Sequence, residues 1–296
     1  MNSSILFRYF SALLLSISMV GCKSDVSPEE ADHLGAEMIQ ALIDNNPTKA
    51  RTLLKKGANP NSKHERGSSV LMASCLHGGY TDIVKMLLKK GADPKYIARR
   101  EDPFYDGMTA LYIAAEQGNL EIVKLLLQKG SDIDAGNGKV GTPIVTATLN
   151  GHNQVIKELI EAGADVNGWS SQGVTALICA ASNANVELSK ILLEAGANVN
   201  AQNLKGPTAL ATAASYGNLR LLKLLLEAGA DPTIESQSDN IICRPLVKAK
   251  ARLYLRKEAE RAGALSISPE LQAASQDSIS IEELEEMVQV LEAAEK

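Results

Sequence analysis

From Glu37 onward the chain repeats one hydrophobic pattern. A short apolar and alanine-rich run such as TALYIAA (109–115) gives way to a two- to three-residue break. An amphipathic segment such as NLEIVKLLLQ (119–128) follows, and it ends in Lys/Ala-Gly-Ala or Lys-Gly-Ser. Apolar residues recurring at helical spacing predict an α-helix for both segments. The closing glycines are Gly57, Gly91, Gly130, Gly163, Gly196 and Gly229, spaced 34, 39, 33, 33 and 33 apart. A fixed period of this length marks a stack of helix pairs, each too small to bury its own apolar face.

The helix boundaries carry their own signals. Thr109, Thr142, Thr175, Thr208 and Ser69 stand where an N-cap accepts a backbone N–H from the first helix of each pair. The closing glycine suits the left-handed turn after the second helix. Ala184 replaces the glycine expected between the two helices of the fifth pair, which predicts a strained or reshaped turn. Ser27-Pro28-Glu29-Glu30 opens a first helix reaching about Asp44, and Asn46-Pro47 opens a second ending at Lys56.

The motifs GMTALYIAA, GVTALICAA and GPTALATAA, with GNLEIVKLLLQKGSDID and GNLRLLKLLLEAGADPT, resemble the ankyrin repeat across roughly residues 36–263. The resemblance implies an all-α solenoid of helix-turn-helix units joined by β-hairpin-like fingers, with about six repeats and a C-terminal cap. It also implies a protein-binding module rather than an enzyme. The finger tips and inner helix faces would carry the contacts. We place the repeat domain at 28–263, a linker at 264–279 and an acidic helix at 280–296, with helical pattern read from residue 241 onward and an apolar stripe of Ile281, Leu284, Val288 and Leu291. Six Glu against one Lys in 280–296 face a cap segment of opposite sign, so we expect the tail to fold back.

The N-terminus departs from this pattern. Residues 1–21 hold one charge, Arg8, and an apolar run from Tyr9 to Val20. That run is too short to span a bilayer and has the length of a signal-peptide core. Met19-Val20-Gly21-Cys22 resembles the bacterial lipobox, which implies cleavage after Gly21 and a lipid on Cys22; the alternative is an ordinary secretory signal with an incidental cysteine. Residues 22–27 would then form a short tether. Lys23 rather than Asp after the cysteine implies outer-membrane sorting in enteric-type bacteria, with the protein facing the periplasm. An internal start at Met38 would instead give an unlipidated cytosolic chain.

Composition narrows the rest. The net charge of −5 lacks the basic excess of a nucleic-acid binder, and four cysteines do not make a disulfide scaffold. The histidines at 33, 64, 77 and 152 do not cluster, so we expect no metal and no cofactor, and His152 reads as a structural residue. Gly136-Asn-Gly138-Lys-Val-Gly141 fits a dinucleotide-binding fingerprint but lies between repeats, without the strand that motif needs. Cys75 and Cys179 take small, buried positions three repeats apart.

Aromatic residues and Arg dominate interface energetics. Carrying the binding positions of the ankyrin pattern over to this chain points to Arg99, Arg100, Phe104 and Tyr105 on a long third finger, Glu116 and Gln117 at the end of its first helix, Trp169 on the fifth finger, and Tyr216 in the sixth repeat. Lipid-anchored ankyrin proteins resemble immunity proteins of type VI secretion phospholipase effectors. That implies a phospholipase effector as the protein partner, membrane attachment through Cys22, no nucleic acid, and a monomer when unbound. The alternative is a periplasmic scaffold that holds or protects a resident enzyme, such as an antioxidant enzyme.

Overall fold

A computed structural model of the protein describes residues 26–65, 67–77, 80–98, 107–136, 141–204, 206–238, 241–243, 245–262 and 279–296. The leader and Cys22 lie outside the described residues. Six helix pairs follow one another: α1 (Pro28–Ile43) and α2 (Pro47–Lys56), α3 (Val70–Cys75) and α4 (Thr81–Lys89), α5 (Ala110–Glu116) and α6 (Leu120–Gln128), α7 (Pro143–Leu149) and α8 (Asn153–Glu161), α9 (Ala176–Ser182) and α10 (Val186–Glu194), and α11 (Ala209–Tyr216) and α12 (Leu219–Glu227). A two-stranded hairpin, β1 (Ser236–Ser238) and β2 (Ile241–Cys243), then leads into α13 (Pro245–Ala262), and α14 (Ile281–Ala294) ends the chain. This is an all-α ankyrin-type solenoid whose short hairpin is a finger. The helical pattern read from residue 241 is corrected: 241–243 pair antiparallel with 236–238, and the helix starts at Pro245, a residue suited to the first helical turn.

First helices stack on first helices and second on second, so the core is a continuous slab between two rows. The first helices are buried nearly throughout, as in Ala110–Ala115 and Ala176–Ala181, because alanine lets neighbouring backbones approach. From α4 onward each second helix buries its third, fourth and seventh residues: Ile83, Val84 and Leu87; Ile122, Val123 and Leu126; Val155, Ile156 and Leu159; Leu221, Leu222 and Leu225, whereas α2 buries Ala50, Leu53 and Leu54. In α10 the fourth is Ser189 rather than an aliphatic residue.

Four of the five expected N-caps form. Ser69, Thr109, Thr175 and Thr208 accept from the amides of Met72, Tyr112, Ile178 and Ala211. Thr142 does not, which corrects that expectation. Its backbone is cap-like, but its buried hydroxyl has no partner, and the side chain lies against Gly168 of the next finger, where a Cβ would sit 2.9 Å from Thr142 Cγ2. Met108, at the base of the third finger, is buried.

A second device recurs after each second helix. An Asn or Asp two residues past the closing glycine takes the amide two residues on: Asn59, Asp93, Asp132, Asp165, Asn198 and Asp231 each do so. Two residues further, Asn61, Asn167 and Asn200 bridge to the next repeat. Each accepts an amide there (from Asp93, Asn198 and Asp231) and donates to the closing glycine's carbonyl (Gly91, Gly196 and Gly229). Asp134 holds the same place but can only accept, from the Asp165 amide at 3.0 Å. Burial pushes its carboxyl above the ordinary range, helped by Asp165 and Asp132.

At the far end α13 packs on α11, and α14 on α13 and α12. Leu284, Met287 and Leu291 are fully buried there, while Ile281 and Val288 are half-buried, so the stripe is centred one position away from the one read in the sequence. Lys223–Glu286, Lys250–Glu292 and Lys257–Glu285 pair at 2.6, 2.7 and 2.6 Å around it. Ser280 and Glu283 cap the helix reciprocally.

Candidate protein-binding surface

The first helices end on one surface, and the fingers project beside it. In the row of helix ends, Glu116 and Gln117 close α5, Leu149 and Asn150 close α7, Ser182 and Asn183 close α9, and Ser215 and Tyr216 close α11. Asn183 ties this row together by donating to the carbonyls of Thr148 and Leu149 in the preceding repeat. His152 does the same further back. Its Nε2 lies 2.9 Å from the Glu116 carbonyl, which can only accept, so Nε2 carries the proton. The ring fills the space a Cβ on Gly118 would need, 2.5 Å from Nδ1, at a backbone φ of 70°.

Trp169 sits on the fifth finger, bridged antiparallel to Thr175. Its side chain, 66% exposed, walls an open groove of about 500 Å³ with Asn167, Gly173, Thr175, Asn198, Ala201 and Gln202. The fifth and sixth fingers are joined at their tips: the Leu204 amide donates to Gln172 O at 2.8 Å, and Gly173 leaves only 3.1 Å between a would-be Cβ and Asn203 Cα. Leu204 itself is 73% exposed, Tyr216 58% and Leu149 56%. These four apolar side chains stand free in an array whose other large apolar groups are mostly buried. Leu149 and Trp169 have the uncharged neighbours Asn150, Asn183, Ser171 and Gln172, whereas Tyr216 shares a groove with Arg220, Lys223, Glu283 and Glu286.

Of the residues expected to bind a partner, Arg99, Arg100, Phe104 and Tyr105 lie outside the described residues. Glu116, Gln117, Trp169 and Tyr216 are on the expected surface but not in one pocket. Tyr216 faces a separate groove of about 530 Å³ toward α14, with Ala184, Arg220, Lys223, Glu283 and Glu286. Leu149 and Leu204 stand at positions the repeat pattern marks and complete the exposed row. The groove walls Asn198 and Gln202 escaped sequence reasoning; their only signal is their place after the closing glycine. Tyr96, the other aromatic near the long finger, packs locally, donating to Gly67 O at 2.9 Å under the Lys63 ammonium, 4.4 Å from the ring centre.

Nothing described here is arranged for covalent chemistry. Cys75 and Cys179 are free and buried, and burial pushes their thiols up to about 12 and about 11, far from a reactive thiolate. Among the described residues no His, Cys, Asp and Glu cluster could hold a metal, and no helix is long and apolar enough to cross a membrane. Gly136 and Gly141 of the glycine-rich run flank the undescribed residues 137–140 and belong to a finger.

The family described as "Ankyrin repeats (3 copies)" matches residues 38–137 and 144–236. Among solved structures, the chain is similar to the ankyrin repeat domain of Bcl-3, described as a unique member of the IkappaB protein family, with 24% identity and a TM-score of 0.57 over 71% of this chain and 92% of that one. No curated protein sequence matches it. With the matched residues spanning six of the helix pairs above, and with the capping, stacking and finger geometry they share, this chain belongs to the ankyrin-repeat family, whose fold is a scaffold for protein–protein interaction.

Proposed function

We propose that the chain is a lipid-anchored binding module on the periplasmic face of a bacterial membrane, which captures and neutralises a type VI secretion phospholipase effector. The observation that carries the binding role is the set of exposed apolar side chains Leu149, Trp169, Leu204 and Tyr216 along the helix ends and fingers of the repeat stack. Trp and Tyr side chains such as Trp169 and Tyr216 are the anchors that dominate protein interfaces. The leader ending in Gly21-Cys22 supports the membrane address, and a phospholipase has to reach that same membrane to act. From the repeat pattern alone we add Arg99, Arg100, Phe104 and Tyr105, which lie outside the described residues, and Glu116 and Gln117 at the end of α5 as further partner contacts.

The test is protection. Cells exposed to an exported phospholipase effector should survive when they carry this chain, and the purified chain should inhibit that lipase. Trp169→Ala with Tyr216→Ala should weaken lipase binding by ~30-fold or more while the melting curve stays near wild type, because both side chains lie outside the core. Cys22→Ala should move the protein from the membrane to the soluble fraction. Lipase activity unaffected by the wild-type chain would defeat the immunity role, and recovery of a resident periplasmic enzyme on the same surface would replace it with a scaffold.

A further inference from the structure

The second helices are joined along their outer edge by ion pairs whose cation holds a fixed position, while the acid is the second residue of the next helix (Asp82, Glu121) or the sixth (Glu158, Glu286). The fifth residue of one helix, a cation, meets an acid on the next: Arg51 with Asp82, Lys85 with Glu121 at 2.6 Å, Lys124 with Glu158 at 3.2 Å, and Lys223 with Glu286 at 2.6 Å. The register fails on both sides of α10. Lys157 and Glu187 occupy the same places as Lys85 and Glu121, yet no ion pair joins them among the described residues. Consistently, α8 and α10 touch more sparsely than every other neighbouring pair in that row. On the other side, Lys190 stands opposite Arg220, a like charge, and pairs within its own helix with Glu194 at 3.9 Å.

Two further features fall in the same repeat. Ser189 takes the buried place held by Val84, Val123, Ile156 and Leu222 in α4, α6, α8 and α12 and by Ala50 in α2, and its hydroxyl turns back onto Asn185 O at 2.9 Å. A small side chain there removes apolar contact with both neighbours, and back-bonding of this kind bends helices. Ala184, in the turn before α10, is held at φ 53°, where the third, fourth and sixth repeats have Gly118, Gly151 and Gly217. The inner edge is not weakened: α9 packs on α7 and α11, and the Asn183, Asn167 and Leu204 hydrogen bonds hold the helix ends and fingers.

We infer that the fifth repeat, α9 and α10, is the flexure point of the array: its inner edge acts as the pivot and its outer edge opens. In a stack whose stability is a sum of neighbour terms, the weakest interface is where the curve changes. Bending there moves the Trp169 finger relative to Tyr216, so the curvature of the exposed row adapts to the shape of what it contacts. The flexure is a property of the chain itself and stands whichever protein it binds.

Hydrogen exchange on the full-length chain tests it. A uniform array frays from its ends, so exchange should slow toward the middle. Here the amides of α10 should exchange at least ~10-fold faster than those of both α6 and α12. Ser189→Val, which restores the residue type of α4 and α6, should slow α10 toward its neighbours. Exchange in α10 no faster than in α6 and α12 overturns the inference without any variant. Fast exchange that Ser189→Val leaves unchanged overturns its packing origin.

Discussion

The repeat makes single residues comparable, because each position is tried several times in one chain. Asp134 is the clearest case. Asn at this place in three other repeats both accepts and donates, and the carboxylate can only accept. Asp134→Asn supplies the missing donor to Gly163 O and removes a charge beside Asp132 and Asp165. A gained hydrogen bond of this kind contributes about 1 kcal/mol, so the variant should melt higher. The sign with pH follows from the raised carboxyl. The native chain holds the Asp134 proton longer than the unfolded chain does, so wild-type stability falls as pH rises from the ordinary Asp range through the raised value. The advantage of the Asn variant should therefore be larger at pH 7 than at pH 4. Ala184 is a second case: Ala184→Gly relieves a left-handed alanine and should stabilise by about 1 kcal/mol, whereas Gly118→Ala should destabilise, since the His152 ring already occupies the Cβ site. Thermal melts of the three variants check both signs.

At the scale of elements, the question is what holds α14 to the array. Three Lys–Glu pairs surround it, but all six side chains are between about a third and two thirds exposed, where such pairs contribute little and are screened by salt. Leu284, Met287 and Leu291 are fully buried. Truncating a buried Leu costs about 2–5 kcal/mol, so Leu284→Ala should release the helix to limited proteolysis, while Glu285→Gln with Glu286→Gln should leave it protected even in high salt. The sequence made most of this legible. Ser280 and Glu283 announce the helix start, and the opposite charges of cap and tail announce the docking. The buried stripe was misplaced because Met287 and Val288 are both apolar, and the alignment of α14 on two different helices chooses between them. The repeat helices were legible because each is written six times over. The unbonded Thr142 was not, since its fate depends on the neighbouring finger at Gly168, a contact no periodicity encodes. Of the candidate surface, the sequence pattern put Glu116, Gln117 and Tyr216 at helix ends and Trp169 on a finger, but not the separation of Trp169 and Tyr216 into two grooves, which depends on how far each finger stands from its helix ends.

At the scale of the whole molecule, the described repeats share one continuous core, and its N-terminal part bears on where translation begins. α1 is the first helix among the described residues, and its second half carries the buried residues Met38, Ile39, Ala41 and Leu42. Its first half supplies the Ala31 carbonyl, which accepts the Asn59 amide at 2.9 Å, and Asp32, which accepts the Asn59 side chain. Gly35 lets the Ser62 side chain pack directly on the helix, where any Cβ would overlap it. A chain begun at Met38 loses all three contacts. It also places a charged amine at a fully buried side chain and leaves six helical residues where sixteen stood. A helix that short does not hold itself. Because each repeat senses only its neighbours, the damage should stay local: α1 and α2 should exchange freely, α3 should lose protection on one face, and α5 onward should match the longer chain. A chain of residues 38–296 should therefore melt below one of residues 26–296 and still keep Trp169, Leu204 and Tyr216 in place, with partner affinity within about threefold, equivalent to about 0.7 kcal/mol. Hydrogen exchange and binding measured side by side check this. Loss of protection reaching α9 would show instead that the slab folds as a single cooperative unit from its N-terminal end.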